Sequence, residues 1–139
     1  MRVNQFSNKV REFHRAFDHP LDKTKLTQHD VELLALRGRL IKEEAQEAFE
    51  ALTDLILCAQ LGKDQTGAKA QLLKELSDVL VVTFGTAEAL GLPIEAGFNR
   101  VHQSNMSKLG GDGKPKYRED GKVLKGPFYR APDLKDLVE

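Results

Sequence analysis

Residues 40–85 read LIKEEAQEAFEALTDLILCAQLGKDQTGAKAQLLKELSDVLVVTFG, and this stretch decides the fold. Its apolar residues recur every three or four positions, which is the spacing of an amphipathic helix. Residues 62–67 interrupt the pattern, because glycine and short polar runs favour turns. The stretch therefore predicts two long helices, and the short turn that joins them favours antiparallel packing.

Acidic residues on the first of these helices share one side. An α-helix turns by about 100° per residue, so Glu43, Glu44 and Glu47 project within one arc of about 100°. Exposed helices are rich in glutamate, and this motif alone is only a weak indication of a metal site.

The second helix places acids among apolar side chains. Glu75 lies on the same stripe as Leu72, Val79 and Val82, and Asp78 lies at the edge of that stripe. An unpaired ionised carboxylate in such a position costs several kcal/mol. Glu75 must therefore be protonated, paired with a base or bound to a metal. With three acids on the neighbouring helix, a divalent metal is the interpretation that we favour.

The types of ligand narrow the choice of metal. Carboxylate oxygens without histidine favour Mg²⁺ or Mn²⁺ over Zn²⁺. A carboxylate-bridged di-iron bundle needs Glu-x-x-His, and no glutamate in this sequence has a histidine three residues later. The pattern therefore predicts Mg²⁺ or Mn²⁺ as the cofactor.

Composition excludes several classes of protein. The 139 residues balance to zero net charge, which argues against a nucleic-acid partner, and the one cysteine permits no intrachain disulfide. The N-terminus is polar, and no apolar run approaches the roughly 20 residues of a membrane span. We therefore expect a soluble cytoplasmic protein with no membrane partner.

The whole chain is expected to be all-α, a four-helix bundle in one domain over residues 1–139. Asp30 is the expected cap of the second helix, and Gly91 is the expected end of the third. The helical core covers 1–108, and a basic, loop-rich tail that includes a small hairpin covers 109–139. The predicted helices span about 4–17, 30–61, 66–90 and 93–108.

The motif EExxE, followed about thirty residues later by ExxD, resembles the MazG-like nucleoside triphosphate pyrophosphohydrolases. That superfamily includes phosphoribosyl-ATP pyrophosphohydrolase and the dimeric dUTPases. The segments EFHRAF, LIKEEAQEAFEAL, LLKELSDVLVVTFGTAEALG and VHQSNMSK, with the DGK-rich tail, are most similar to the members that hydrolyse dUTP. The resemblance implies metal-dependent, house-cleaning hydrolysis of dUTP or another dNTP to a monophosphate and pyrophosphate.

Two alternatives stay open at this point. The first is phosphoribosyl-ATP pyrophosphohydrolase of histidine biosynthesis, which shares the fold and the metal motif. The second is a non-catalytic helical module whose tail binds a polyanion, and its binding would weaken steeply with salt and need no divalent metal.

The resemblance also implies the residues of the site. A carboxylate at the metal edge is expected to orient or deprotonate the attacking water, and Glu47 or Glu44 is the candidate for this catalytic role. The implied metal ligands are Glu43, Glu44, Glu47, Glu75 and Asp78.

The tail supplies candidate contacts for the substrate. Residues 108–130 hold seven basic residues against three acids, and cations are needed to bind the terminal phosphates. Asn105 and Lys108 are favoured because they follow the fourth helix as in the resembling proteins, and Lys122, Lys125 and Tyr129 come next.

The N-terminal helix supplies candidates for base recognition. His14 lies off the stripe formed by Phe13 and Phe17 and is a candidate contact, whereas the two phenylalanines are more typical of a core.

A homodimer or homotetramer is expected on two grounds. Val81 and Phe84 lie away from the stripe that contains Glu75, so the third helix has apolar residues on more than one face. The resembling families are also dimers or tetramers.

Overall fold

Residues 5–139 are described by a computed structural model, and in this part of the chain it contains four α-helices and no named strand, which confirms the all-α prediction. The predicted start of α1 at residue 4 lies outside the described residues, and each of the other helix boundaries lies within about two residues of its predicted bound. The helices are α1 (Gln5–Ala16), α2 (Val31–Gln60), α3 (Thr66–Leu90) and α4 (Ile94–Met106), with 3₁₀ turns at Gln28–Asp30 and Lys135–Leu137.

The chain divides into two compact units after Gly91. Gly91 also ends α3 in the left-handed conformation, as predicted. The first unit contains α1 to α3, and the second contains α4 with the segment that follows it. The sequence instead places the change of organisation after residue 108. The structure groups α4 with the tail because the tail bonds to it: the Ser104 hydroxyl donates to the Arg130 carbonyl at 2.7 Å. One domain over residues 1–139 stays a prediction.

A capping box at Thr27 closes the 3₁₀ turn Gln28–Asp30, which leads directly into α2. The Thr27 hydroxyl accepts a hydrogen bond from the His29 amide at 3.2 Å, and the Asp30 carboxylate accepts one from the Thr27 amide at 2.8 Å. Lys23 Nζ lies 2.7 Å from the other oxygen of Asp30. Asp30 is the N-cap residue of α2, as the sequence predicts, but its carboxylate makes no capping hydrogen bond to α2 and bonds back to Thr27 instead.

A buried arginine on α2 bonds to polar atoms of α3. Arg37 is 6% exposed and donates to the Thr86 hydroxyl at 3.0 Å and to the Val82 carbonyl at 3.1 Å. Gly85 leaves room for this contact, because a Cβ there would lie 2.5 Å from Arg37 Nη2 and 2.9 Å from His14 Nε2. Burial lowers the pKa of His14 and of Arg37.

Small residues dominate the buried apolar positions of the described chain. The aromatic side chains of α1 are open to solvent, with Phe13 43% and Phe17 63% exposed. The expectation that these two residues belong to the core is wrong, because α1 packs mainly on α3 and leaves this side uncovered. The buried apolar residues are Val10, Ala48, Ala51, Val82, Ala87 and Ala89.

The predicted hairpin of the tail is reduced to one antiparallel bridge between Tyr117 and Val123. The Arg118 amide donates to the Lys122 carbonyl at 2.8 Å, and Gly121 takes a positive φ of 87° at the turn. Frequent glycine and proline keep the pairing from extending into strands.

No single helix within residues 5–139 has the length and hydropathy needed to cross a membrane. Only α3 and α4 taken together, across the break between them, reach those values.

Asp30→Asn tests the capping box. Lys23 and Thr27 hold the pKa of Asp30 below its usual value, so the carboxylate stabilises the fold above about pH 4 and loses this effect as the pH falls through the lowered pKa. The variant should therefore melt about 2–5 °C lower than the parent at pH 6, and the gap should narrow progressively as the pH falls below about 4. Calorimetry between pH 3 and 6 measures both.

Asp54→Asn is the matched control, because Asp54 is an exposed acid within α2, away from the capping box. Its melting temperature should follow the parent at every pH. A gap for Asp30→Asn that is independent of pH would contradict the role given to the carboxylate.

Candidate metal centre

Three carboxylates from α2 and α3 converge in the first unit, and we call them the acidic triad: Glu44, Glu75 and Asp78. One oxygen from each lies within 4.8 Å of the other two. Glu75 is 5% exposed, while Glu44 and Asp78 are half-buried. The two helices form the most extensive helix–helix contact of the described residues, so the triad lies on a rigid support.

Two oxygens of the triad are buried without a hydrogen-bond partner among the described residues, Glu44 Oε2 and Glu75 Oε2. A buried oxygen of this kind costs free energy unless a donor or a cation satisfies it. A cation held between the triad oxygens satisfies both at once, and carboxylates are the ligands that Mg²⁺ and Mn²⁺ prefer. The residues present therefore fit a divalent cation.

One oxygen each of Glu75 and Asp78 has partners on α3. Glu75 Oε1 accepts a hydrogen bond from Gln71 Nε2 at 2.5 Å and from Lys74 Nζ at 3.3 Å. Lys74 Nζ also lies 2.8 Å from Asp78 Oδ2. The sequence contains the signal for these contacts, because Gln71 and Glu75, like Lys74 and Asp78, are four residues apart on one helix. Neither Gln71 nor Lys74 is among the predicted site residues.

Glu47 lies beside the triad on α2 and is exposed. The charge of Glu44 first, then burial and the nearby Glu75, raise the pKa of Glu47. Glu43 is also exposed and lies with Glu47 along an open depression of about 470 Å³ on α2, outside the group of three. The structure thus brings together Glu44, Glu75 and Asp78, and the assignment of Glu43 and Glu47 as ligands stays a prediction.

His14 lies in the interior of the first unit. Its ring is 2% exposed, and Nδ1 lies 3.0 Å from the Pro20 carbonyl. The ring of His19 lies 5.2 Å away, and that of Phe13 lies 6.2 Å away. No open face of the imidazole is available to a nucleotide in this arrangement, and its role as a substrate contact stays a prediction.

The remaining predicted contacts lie in the second unit. Asn105 is exposed near the end of α4, and the Lys108 carbonyl accepts a hydrogen bond from the Gly126 amide at 2.9 Å. Lys125 Nζ lies 4.7 Å from the centroid of the Tyr129 ring, and Lys122 is exposed. These five residues share the second unit, but Asn105 and Lys108 lie at the end of α4 and the others on the tail.

Comparison with known proteins assigns the family. The family model described as phosphoribosyl-ATP pyrophosphohydrolase matches residues 10–105, a range that contains the whole triad. The chain therefore belongs to the phosphoribosyl-ATP pyrophosphohydrolase family, which the MazG-like resemblance of its motifs anticipates.

Two individual proteins are also similar. Uncharacterized protein L479 of Acanthamoeba polyphaga mimivirus is 26% identical over 134 residues, which is 94% of this chain and 46% of that protein. The chain thus spans about half the length of this curated relative. A crystal structure of a proposed NTP pyrophosphohydrolase from Exiguobacterium sp. 255-15 is 24% identical and superimposes with a TM-score of 0.45, covering 96% of this chain and 92% of the other.

Glu75→Gln tests the triad without changing its shape. The Mn²⁺ affinity should fall by at least about tenfold, because an anionic ligand becomes neutral. The metal-free protein should melt at the same temperature as the parent or higher, because the buried carboxylate that is neutralised has one oxygen without any partner. Titration with Mn²⁺ followed by electron paramagnetic resonance, together with calorimetry, measures both effects.

Glu50→Gln provides the control, since Glu50 is an exposed acid on α2 outside the triad. Neither the Mn²⁺ affinity nor the melting temperature should change for this variant. Equal Mn²⁺ affinities for Glu75→Gln and the parent would show that the triad is not the metal centre.

Proposed function

We propose that this protein hydrolyses a nucleoside triphosphate, or a nucleotide with the same triphosphate group, to a monophosphate and pyrophosphate, with Mg²⁺ or Mn²⁺ as its cofactor. The observation that carries the proposal is the pair of buried, unpartnered oxygens, Glu44 Oε2 and Glu75 Oε2, inside the acidic triad. The family match supports the reaction class. The cytoplasmic nucleotide pool is the proposed setting.

The triad would hold the cation through Glu44, Glu75 and Asp78. When bound, the cation neutralises triphosphate oxygens and makes a nearby water more acidic. Glu47 is the proposed general base, because it lies beside the triad yet is open to solvent. Glu47 takes the water proton as the water oxygen bonds to the α-phosphorus. The bond from that phosphorus to the bridging oxygen breaks, and this oxygen leaves with pyrophosphate.

The tail is proposed to supply cations for the terminal phosphates. Lys116 is already paired with Asp112 at 3.3 Å, and Arg118 is paired with Asp120. Lys122, by contrast, has no carboxylate partner in residues 5–139. Lys108, Lys114, Lys125 and Arg130 likewise have no carboxylate partner in the described residues, and of these unpaired cations Lys108, Lys122 and Lys125 are the proposed phosphate contacts, with Asn105 and Tyr129 as neutral contacts.

Two substrates are candidates for the proposed reaction. The segments quoted above favour dUTP or another dNTP, whereas the matching family model carries the name of the phosphoribosyl-ATP enzyme. Both substrates would present the same triphosphate to the triad and release pyrophosphate. They differ only in the nucleoside part that carries the triphosphate.

Self-association is proposed as part of the function. Phe49, Ile56 and Leu57 of α2 are more than half exposed, as are Leu73 of α3 and Phe98 of α4. Burial of apolar surface drives the association of subunits. A homodimer or homotetramer would cover these side chains, and gel filtration with light scattering measures the assembly.

Glu47→Gln tests the reaction. The parent, incubated with dNTPs, NTPs and phosphoribosyl-ATP in Mg²⁺ or Mn²⁺, should release pyrophosphate from one preferred substrate. The variant should lose at least about a hundredfold in kcat, because a general base contributes about 10²–10⁴-fold. Its Mn²⁺ affinity should stay within a few-fold of the parent value if Glu47 acts as a base rather than a ligand.

The alternatives give different results in the same assay. Full activity of Glu47→Gln would exclude the residue as base. Absence of turnover across the panel, in a parent that binds a polyanion in low salt without divalent metal, would favour the non-catalytic binding module instead.

Lys122→Gln tests the tail against a matched lysine. The KM for the preferred nucleotide should rise about threefold to tenfold with little change in kcat, because a charge-assisted contact to phosphate is lost from an exposed position. Lys116→Gln, which removes a lysine already paired with Asp112, should change KM by less than about twofold. Equal KM values for both variants and the parent would exclude Lys122 as a phosphate contact.

A further inference from the structure

The ammonium group of Lys74 contacts two carboxylates of the acidic triad. Lys74 Nζ lies 2.8 Å from Asp78 Oδ2 and 3.3 Å from Glu75 Oε1. The side chain of Lys74 is 60% exposed, whereas that of Glu75 is 6% exposed. A solvent-facing ammonium thus partly neutralises two carboxylates, one of which is buried.

We infer that Lys74 is the counter-cation of the acidic triad in the metal-free protein, and that a bound divalent cation displaces its ammonium. This inference rests on the metal centre of the proposed function. It adds a second state of the site, in which Lys74 turns to solvent while the triad oxygens hold the metal.

Competition between the two cations follows from their shared ligands. The free oxygens Glu44 Oε2 and Glu75 Oε2 lie in the interior, and Asp78 supplies the third ligand atom of the triad. A divalent cation there would lie within a few ångströms of the Lys74 ammonium, and two positive charges at this separation repel strongly. Displacement of the ammonium is inexpensive, because the long lysine side chain is already mostly in water.

Gln71 also bonds to Glu75 Oε1, but unlike Lys74 it is not expected to be displaced by a metal. Its amide donates to Glu75 Oε1 at 2.5 Å, and an amide carries no charge to repel a metal. Neutral donors of this kind orient a metal-ligating carboxylate and remain in place when the metal binds. The structure thus separates an orienting contact, Gln71, from a displaceable one, Lys74.

Lys74→Gln, Lys74→Arg and a control, Lys69→Gln, test the inference with Mn²⁺ as the probe. Lys69 is exposed on the same helix, and its substitution by glutamine removes the same charge at a position outside the triad. Mn²⁺ affinity is measured by electron paramagnetic resonance, and melting temperature by calorimetry, without metal and in saturating Mn²⁺. None of these measurements depends on turnover.

The expected pattern has two linked parts. Lys74→Gln should bind Mn²⁺ about threefold to tenfold more tightly, because a partly screened positive charge beside the metal is removed. Its melting temperature should be lower than that of the parent without metal and equal to it in saturating Mn²⁺, because the two proteins then differ only in a solvated side chain. Lys74→Arg and Lys69→Gln should resemble the parent in both measurements.

Other results would overturn the inference. An unchanged Mn²⁺ affinity for Lys74→Gln, with a melting deficit that persists in Mn²⁺, would mean that the ammonium stays on Asp78 when the metal is bound. A parent that does not bind Mn²⁺ would overturn both this inference and the proposed metal centre. Mn²⁺ binding with the expected pattern but no pyrophosphate release would leave the inference supported while the proposed reaction fails.

Discussion

Burial of the Glu75 carboxylate is the constraint on which the site depends. One of its oxygens accepts from Gln71 and Lys74 on its own helix, and the other lies against α2 with no partner in the described residues. Packing of α2 on α3 is what removes this group from water. The free energy that the two helices gain by packing therefore includes a cost, which a cation relieves. The site and the fold are stabilised by the same contact.

The first unit also buries a positive charge, the guanidinium of Arg37. Among the described residues, Arg37 donates to the Val82 carbonyl and the Thr86 hydroxyl rather than to a carboxylate. Both acceptors lie on α3, so they set how far α2 can slide along its neighbour. Slippage by one turn would move the guanidinium away from both oxygens and would separate Glu44 from Glu75 as well. The alignment of the triad thus depends on a hydrogen-bonded arginine two helical turns from it.

Much of this arrangement could be predicted from the sequence, since it follows from local patterns. The period of the apolar residues predicts the four helices, Gly91 predicts the end of α3, and the position of Glu75 in an apolar stripe predicts its burial. The contacts that depend on the distances between helices could not be predicted. From their spacing along α2, Glu43 and Glu44 are equally good candidates for metal ligands. Only the position of α3 shows that Glu44, and not Glu43, belongs to the triad. The exposure of Phe13 and Phe17 likewise depends on which helices cover α1.

The small size of the buried apolar residues has a thermodynamic consequence. The increase in heat capacity on unfolding is proportional to the apolar surface that unfolding newly exposes to water. Alanines such as Ala48 and Ala89 contribute little of this surface, while Phe49 and Leu73 are in water before unfolding begins. An isolated chain should therefore have a low heat capacity of unfolding and a stability that changes only slowly with temperature. If the exposed side chains are covered by another copy of the chain, the missing heat capacity belongs to the association step, which then becomes the temperature-sensitive part of the molecule.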